Sequence, residues 1–107
     1  MSITVNIYYK GENGAAVEFA KEMESSGTAE RVRSQEGNLG YEYFVSMGNP
    51  ETVLLVDSWK DQASIDIHHA SEMMITIAKL REKYDLHMRV VRYIKDDTQL
   101  DESFIRK

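Results

Sequence analysis

The alternation of two kinds of hydrophobic pattern limits the possible folds of this 107-residue chain more than any other feature. Four segments are rich in β-branched and aromatic residues and predict strands at residues 3–9, 39–47, 52–59 and 86–94. Two stretches with apolar residues three or four apart predict helical regions at residues 15–34 and 62–80. The order β-α-β-β-α-β predicts an α+β protein, a ferredoxin-like sandwich with a four-stranded antiparallel sheet.

These elements form one predicted domain, residues 1–95. Gly48, Asn49 and Pro50 are strong turn formers, so we expect the second and third strands to form a hairpin. Asp61 and Ser71 have the positions of helix N-caps within the second helical region. Residues 96–107 are acidic and loosely patterned, and we expect a C-terminal tail or an arm that lies on a neighbouring subunit.

Both faces of the expected sheet are apolar, although two helical regions can cover only one of them. One face carries Ile3, Val5, Ile7, Tyr41, Tyr43, Val53, Leu55, Val90 and Ile94. The other carries Tyr8, Phe44, Leu54, Val56, Val91 and Tyr93, interspersed with Thr4, Asn6, Glu42 and Arg89. Monomers rarely expose so large an apolar patch, so we expect a homodimer in which two sheets pack face to face. The alternative is that the C-terminal segment folds over part of this face.

Composition and charge narrow the classes of function. Asp and Glu number 18 against 13 Lys and Arg, and the net charge of −5 disfavours nucleic-acid binding. The chain has no cysteine, which excludes disulfides, thiolate nucleophiles and cysteine-based metal sites and favours a reducing compartment. We find neither the pattern of a signal peptide nor an apolar run of membrane-spanning length. These features predict a cytoplasmic protein without a membrane or nucleic-acid partner.

A series of short motifs resembles one known family. The motifs are EGNLGYE at residues 36–42, VDSW at 56–59 and KDQASIDIH at 60–68, and the sharpest pattern is W-x-D-Q-A-x-[LI]-x-x-H from Trp59 to His68. In this order they look like the antibiotic biosynthesis monooxygenase domain family, over about residues 3–94. The resemblance implies a dimeric α/β barrel and cofactor-free oxygenation of anthrones or quinols. Relatives in that family also include haem-degrading enzymes and a sugar-phosphate isomerase, so the fold does not decide the reaction.

The resemblance points to Trp59 and His68 as catalytic residues. The ring of Trp59 would stack on a planar aromatic substrate, or else it is a large core anchor. His68 and His69 lie about 100° apart around a helix, so both cannot face one ligand, and the histidine of the family falls at His68. An ordinary histidine pKa of about 6.5 would let His68 accept a phenolic proton at neutral pH. The alternative is a partly buried histidine that is hydrogen-bonded to a tyrosine or to the backbone.

Three further residues are candidates for substrate binding: Tyr41, Tyr43 and Asn6. The two tyrosines share a strand face and their hydroxyls could orient an oxygenated ring, although paired tyrosines are also ordinary sheet packing. Asn6 lies two residues before Tyr8 on the first strand, so both side chains point to the same face, the one that a dimer would bury. No metal site is predicted: His68 could pair with Glu72 four positions on, but the chain has no HxxxH pair and no cysteine.

Two departures from the family narrow the implied function. The histidine that ligates iron in haem-degrading relatives falls at Ala78, and a polar residue that anthrone-oxidising relatives place four positions before the tryptophan is Leu55 here. We therefore expect a cofactor-independent monooxygenase that oxidises a quinol or a related electron-rich aromatic compound with O₂. The alternatives are an isomerase for a phosphorylated or keto substrate, which would need Lys79 or Arg92 in the pocket, and a non-catalytic ligand-binding dimer of the same fold.

Overall fold

The sheet and its helices follow the predicted order in the computed structural model, which describes residues 1–107. The elements are β1 Ile3–Lys10, α1 Ala15–Ser25, α2 Thr28–Arg33, β2 Asn38–Val45, β3 Thr52–Trp59, α3 Gln62–His69, α4 Glu72–Lys83 and β4 His87–Ile94, with a short 3-10 helix at Glu102–Phe104. No helix combines the length and the apolar character needed to cross a membrane. The strand order is β2-β3-β1-β4 with every pair antiparallel, which confirms the α+β, ferredoxin-like prediction.

Each predicted helical region consists of two short helices. Gly27, with a φ of +79°, separates α1 from α2. Asp61 caps α3 as expected, since its Oδ1 accepts hydrogen bonds from the backbone N–H of Ser64 at 2.9 Å and from the Ser64 hydroxyl at 2.7 Å. Ser71 has the N-cap position of α4 as expected, but its side chain makes no capping hydrogen bond, because the Ser71 hydroxyl instead donates to the carbonyl of His68 at 2.6 Å. Ser71 thus hydrogen-bonds to the last turn of α3, the helix that carries His68.

The core lies between the helices and one face of the sheet. Cross-strand pairing places Ile7 opposite Leu55 and Val90, so these side chains point to the same face. Strands β1 and β3 and the helices supply the fully buried residues: Tyr9, Phe19, Met23, Val32, Val53, Leu55, Trp59 and Ile77. Strand β4 departs from the expectation, because Val90 is 49% exposed and Ile94 60% exposed on the side that faces the helices. The helix layer therefore covers β4 only sparsely, and Gln62 of α3 contacts Arg92 of this strand.

The opposite face of the sheet is apolar and uncovered. Phe44 is 46% exposed and Tyr93 is 51% exposed on this face, and Leu54 and Val56 between them are only half-buried. The residues after Ile94 are exposed throughout and include the apolar side chains of Leu100, Phe104 and Ile105. We call the surface formed by Tyr8, Phe44, Leu54, Val56, Val91 and Tyr93 the free face.

Gly37 provides a test of how tightly the loop before β2 packs on α3. Its φ of +89° disfavours any side chain, and an added Cβ would lie 2.2 Å from Ser64 Oγ. We expect Gly37→Ala to lower the free energy of unfolding by about 2–4 kcal/mol, combining left-handed strain with overpacking. Urea unfolding measures this loss. Gly14→Ala is the matched control, because Gly14 has a φ of +80° but no atom within 4 Å of an added Cβ. Equal losses in the two variants would contradict the close contact at Gly37.

Candidate active site

Trp59 and His68 form a stacked pair in the core beneath the helices. Their ring centroids lie 4.9 Å apart with 28° between the ring planes. Trp59 ends β3 and is fully buried, and α3 folds back over the sheet directly after it. Ile65 and His68, three residues apart, face the core from α3, whereas His69 is exposed. The structure therefore places side by side the two residues that the family resemblance in the sequence marked as catalytic.

A hydrogen bond fixes the orientation and the tautomer of His68. Its Nδ1 lies 2.7 Å from Oε1 of Gln35, in the loop between α2 and β2. Because a carbonyl oxygen can only accept, Nδ1 carries the proton and Nε2 keeps its lone pair. Burial lowers the pKa of His68 to about 4, with smaller contributions from the nearby charges of His69 and Arg81. His68 is thus a neutral hydrogen-bond acceptor at pH 7 and a weaker base than an exposed histidine.

Asp57 is a buried carboxylic acid close to this pair. It lies between Leu55 and Trp59 on the inward-facing positions of β3 and is only 6% exposed. Desolvation raises the pKa of Asp57 to about 7, and the indole N–H of Trp59 and the charge of Arg81 oppose this rise only in part. Neither Asp57 Oδ1 nor Trp59 Nε1 has a hydrogen-bond partner, so the indole approaches the carboxyl without the geometry of a hydrogen bond. The site thus holds an unpaired acceptor beside an unpaired donor.

Three tyrosines extend the polar centre on the same face of the sheet. The hydroxyls of Tyr41 and Tyr43 lie 3.1 Å apart, and Tyr41 is directly opposite Asp57 across the β2–β3 pair. Burial raises the pKa of both Tyr41 and Tyr43, so both are neutral phenols at pH 7. The hydroxyl of Tyr9 accepts a hydrogen bond of 3.0 Å from Nε of Arg81 on α4. Arg81 is thereby engaged with Tyr9 and does not form an ion pair with Asp57.

The predicted site residues fall on two sides of the sheet. Trp59, His68, Tyr41 and Tyr43 lie on the helix-covered face, whereas Asn6 lies opposite Val56 on the free face. Oδ1 of Asn6 is buried without a hydrogen-bond partner, but the sheet separates it from the other four residues. The structure therefore does not bring Asn6 to the same site.

Two residues of the site were missed in the sequence analysis. Gln35 carries no local signal, because its contact with His68 spans 33 positions in the chain. Asp57 did have a signal, since it occupies the inward position of a strand whose other inward residues are Val53, Leu55 and Trp59. A charged residue in such a series predicts either a buried acid or an interrupted strand.

The five main surface cavities lie around the site and not between Trp59 and His68. Five surface cavities have volumes of about 350 to 730 Å³, and none is lined by Trp59, His68 or Asp57. The largest lies between α1 and the edge of the sheet, and its apolar wall is formed by Val17, Ala20, Tyr43, Val45 and Val53. We call this cavity the β2 groove. Through Tyr43 it adjoins the Tyr41–Tyr43 pair, and so the polar centre.

Comparison with known proteins identifies the family. The family model described as antibiotic biosynthesis monooxygenase matches residues 2–80, most of the chain. The chain belongs to the antibiotic biosynthesis monooxygenase family. A curated relative from Bacillus subtilis (strain 168), "Putative monooxygenase YcnE", is 29% identical over 91 residues, which is 84% of this chain and 94% of the relative. The residues that carry the family resemblance in the sequence thus lie largely within a matched domain.

Solved structures share the fold of this family member. A conserved protein from Methanosarcina mazei Go1 has a TM-score of 0.77 at 25% identity, covering 90% of this chain and 94% of that one. A protein from Nitrosomonas europaea, titled a putative antibiotic biosynthesis monooxygenase, has a TM-score of 0.79 at 13% identity, covering 91% and 92%. At 13% identity, the likeness to the Nitrosomonas europaea protein concerns the fold alone.

Asp57 and His68 impose opposite pH dependences on stability. The folded protein holds the Asp57 proton more tightly than the unfolded chain, so this residue lowers stability as the pH rises from about 4 to 7. The unfolded chain holds the His68 proton more tightly, so that residue raises stability from about pH 4 to 6.5. The two effects offset each other in the unmodified protein.

Single substitutions should expose these opposing effects in urea unfolding at pH 4.5, 6 and 8. At pH 8 we expect Asp57→Asn to be the more stable protein, by up to about 4 kcal/mol for a shift of roughly three pKa units. Its stability should rise with pH between 4 and 6.5, whereas that of His68→Gln should fall between 4 and 7. Asp66→Asn, at an exposed carboxylate of α3, is the control. Lower stability of Asp57→Asn than of the unmodified protein at pH 8 would contradict an unpaired buried carboxylate.

Proposed function

We propose that this protein is a cofactor-independent monooxygenase that oxidises a quinol or a related electron-rich phenol with O₂. The observation that carries the proposal is the buried stack of Trp59 and His68 within a domain of the antibiotic biosynthesis monooxygenase family. An aromatic wall, a neutral imidazole acceptor and a low-polarity interior are the features that such a reaction requires. The match of a relative named as a putative monooxygenase supports the same reaction class.

The proposed reaction balances without an external reductant. A hydroxyl of the substrate loses its proton, and the phenolate transfers one electron to O₂ to give a semiquinone radical and superoxide. These combine at a ring carbon that bears hydrogen, and protonation gives a hydroperoxide. Loss of water across the O–O and C–H bonds leaves a new carbonyl group, so a quinol and O₂ yield a hydroxyquinone and water. The substrate supplies all four electrons.

The side chains of the site have distinct proposed roles. Trp59 stacks on the substrate ring, and Nε2 of His68 accepts a hydrogen bond from a substrate hydroxyl. Tyr43 belongs to both the β2 groove and the Tyr41–Tyr43 pair, so the groove is the proposed entrance. Because Trp59 is fully buried, side chains around it must move aside when the substrate enters.

The two alternatives receive unequal support from the structure. An isomerase for phosphorylated substrates requires a free cation inside the site. Lys79 and Arg92 are exposed, and the one cation at the site, Arg81, is engaged by the Tyr9 hydroxyl. A non-catalytic binding protein is favoured by the close packing around Trp59 and by the absence of that residue from the five surface cavities. The oxidation assay below separates this second alternative from the proposal.

His68→Gln should slow quinol oxidation without disturbing the fold. We prepare menadiol anaerobically, admit O₂, and follow O₂ uptake after subtracting the rate in buffer. We expect kcat/KM to fall about 100-fold, because the variant loses the Nε2 acceptor that orients the substrate hydroxyl. His69→Gln is the matched control, because His69 is the exposed neighbour on the same helix and should keep the full rate. Equal rates for both variants, or no excess over buffer for the unmodified protein, would overturn the proposed reaction.

We also propose that a second copy of the chain covers the free face. The support is the half-exposed aromatic and aliphatic side chains of that face, together with the orphaned Oδ1 of Asn6 at its centre. The sparsely covered strand β4 and the exposed Leu100, Phe104 and Ile105 would add to the same interface. A two-fold dimer that packs sheet against sheet would bury these groups in one step.

Leu54→Glu tests this dimer. Leu54 lies opposite Tyr8 and Phe44 on the free face, so a charge there would be buried without a partner in the dimer. Light scattering after size exclusion should give a dimer mass for the unmodified protein and a monomer mass for Leu54→Glu, with helical content unchanged by circular dichroism. Ile75→Glu, at an exposed position of α4, is the control and should stay dimeric. A monomer mass for the unmodified protein at high concentration would refute the dimer.

A further inference from the structure

We infer that Asp57, and not His68, takes up the proton that the substrate hydroxyl loses, while the indole N–H of Trp59 holds the same oxygen. This inference rests on the proposed function and names the proton acceptor within it. It follows from the position of the carboxyl, from its unpaired oxygen and from the groups that surround it.

The burial of Asp57 sets it apart from all other acidic residues of the chain. Of 18 aspartates and glutamates, it is the one that the fold buries. A carboxylate in such a place normally has a cation or several donors as partners, because desolvating an unpaired charge is costly. Oδ1 of Asp57 has no hydrogen-bond partner, since the indole N–H of Trp59 approaches the carboxyl without hydrogen-bond geometry, and Asp57 forms no salt bridge. A destabilising acid that the surrounding residues leave unpaired is a candidate for chemistry.

The unpaired atoms of Asp57 and Trp59 complement a hydroxyl group. Asp57 Oδ1 is an acceptor without a donor, and Trp59 Nε1–H is a donor without an acceptor. A phenolic hydroxyl donates one hydrogen bond and accepts another, so it can satisfy both atoms at once. An ether, a ketone or an ammonium group can satisfy only one of them. The pair therefore selects a hydroxylated substrate.

The groups around Asp57 keep its carboxyl able to exchange a proton near neutral pH. Tyr41 faces it from β2, Tyr9 lies on β1, and Arg81 approaches from α4 but donates to the Tyr9 hydroxyl. His68 on α3 is neutral and its Nδ1–H is held by Gln35. Both tyrosines have a raised pKa, so Asp57 is the group here that titrates near pH 7.

The proposed step moves one proton and no other atom. The O–H bond of the substrate breaks, its electron pair stays on the substrate oxygen, and a new O–H bond forms on the Asp57 carboxylate. The Trp59 N–H then stabilises the phenolate that reduces O₂. The proton on Asp57 returns to the peroxide oxygen in the later step, so the carboxylate is regenerated with each turnover.

The test is the pH profile of menadiol oxidation between pH 5 and 9, with the buffer rate subtracted. For the unmodified protein, kcat/KM should rise with pH to a plateau, with a midpoint near 7. Asp57→Asn should lower the plateau at least 100-fold and abolish the rise, whereas Asp57→Glu, which keeps a carboxyl, should retain the rise and recover part of the rate. Asp66→Asn is the control for loss of an exposed carboxylate and should behave as the unmodified protein does.

Each outcome decides a separate point. An active unmodified protein with an equally active Asp57→Asn variant, or a pH-dependent rise that persists in that variant, overturns the assignment of Asp57 and leaves the proposed oxidation intact. An unmodified protein no faster than buffer overturns the oxidation, and the assignment of Asp57 with it. Misfolding cannot imitate the expected result, because Asp57→Asn should unfold at higher urea concentration than the unmodified protein at pH 8.

Discussion

The structure depends on one constraint: a single layer of helices can cover only one face of the sheet. Four short helices cover one face of the sheet and leave most of β4 and the whole opposite face without cover. The same limit creates two environments, because the side chains under the helices are buried and many apolar side chains beyond them are exposed. Polar groups in the buried part must find partners or shift their pKa values, whereas apolar groups in the exposed part call for another surface.

Under the helices, desolvation is the main cause of the pKa shifts of Asp57 and His68. Burial pushes the pKa of Asp57 up and that of His68 down, because in both cases it disfavours the charged form. At neutral pH His68 is consequently uncharged and Asp57 only partly ionised, and the one nearby cation, Arg81, donates to the hydroxyl of Tyr9. Such a centre suits a neutral aromatic molecule that becomes anionic only during reaction. Burying Asp57 lowers the free energy of unfolding at neutral pH, and such a loss of stability is common at active sites.

Membership of the family and the choice of substrate depend on different residues. The Trp59–His68 stack and the fold accord with the family model. Leu55, fully buried on the same face as Trp59, makes the wall apolar at the position where anthrone-oxidising relatives are polar. Ala78, on α4, offers no ligand for a haem iron. Asp57 and Trp59 are the groups that the hydroxyl of the proposed quinol would contact.

The amino-acid sequence by itself determined the order of the elements and the two faces of the sheet. Both follow from local periodicity, because neighbours three residues apart on a helix or two apart on a strand must share a face. The family resemblance selected Trp59 and His68, and the structure placed their rings together. Only the tertiary structure decided that Gln35 orients His68, that Asn6 is cut off from the tyrosines, and that β4 stays largely bare. These depend on how far the helices extend over the sheet and on contacts between residues distant in the chain. Asp57 lies between the two cases, since the alternation along β3 placed it inward but only the surrounding packing left it unpaired.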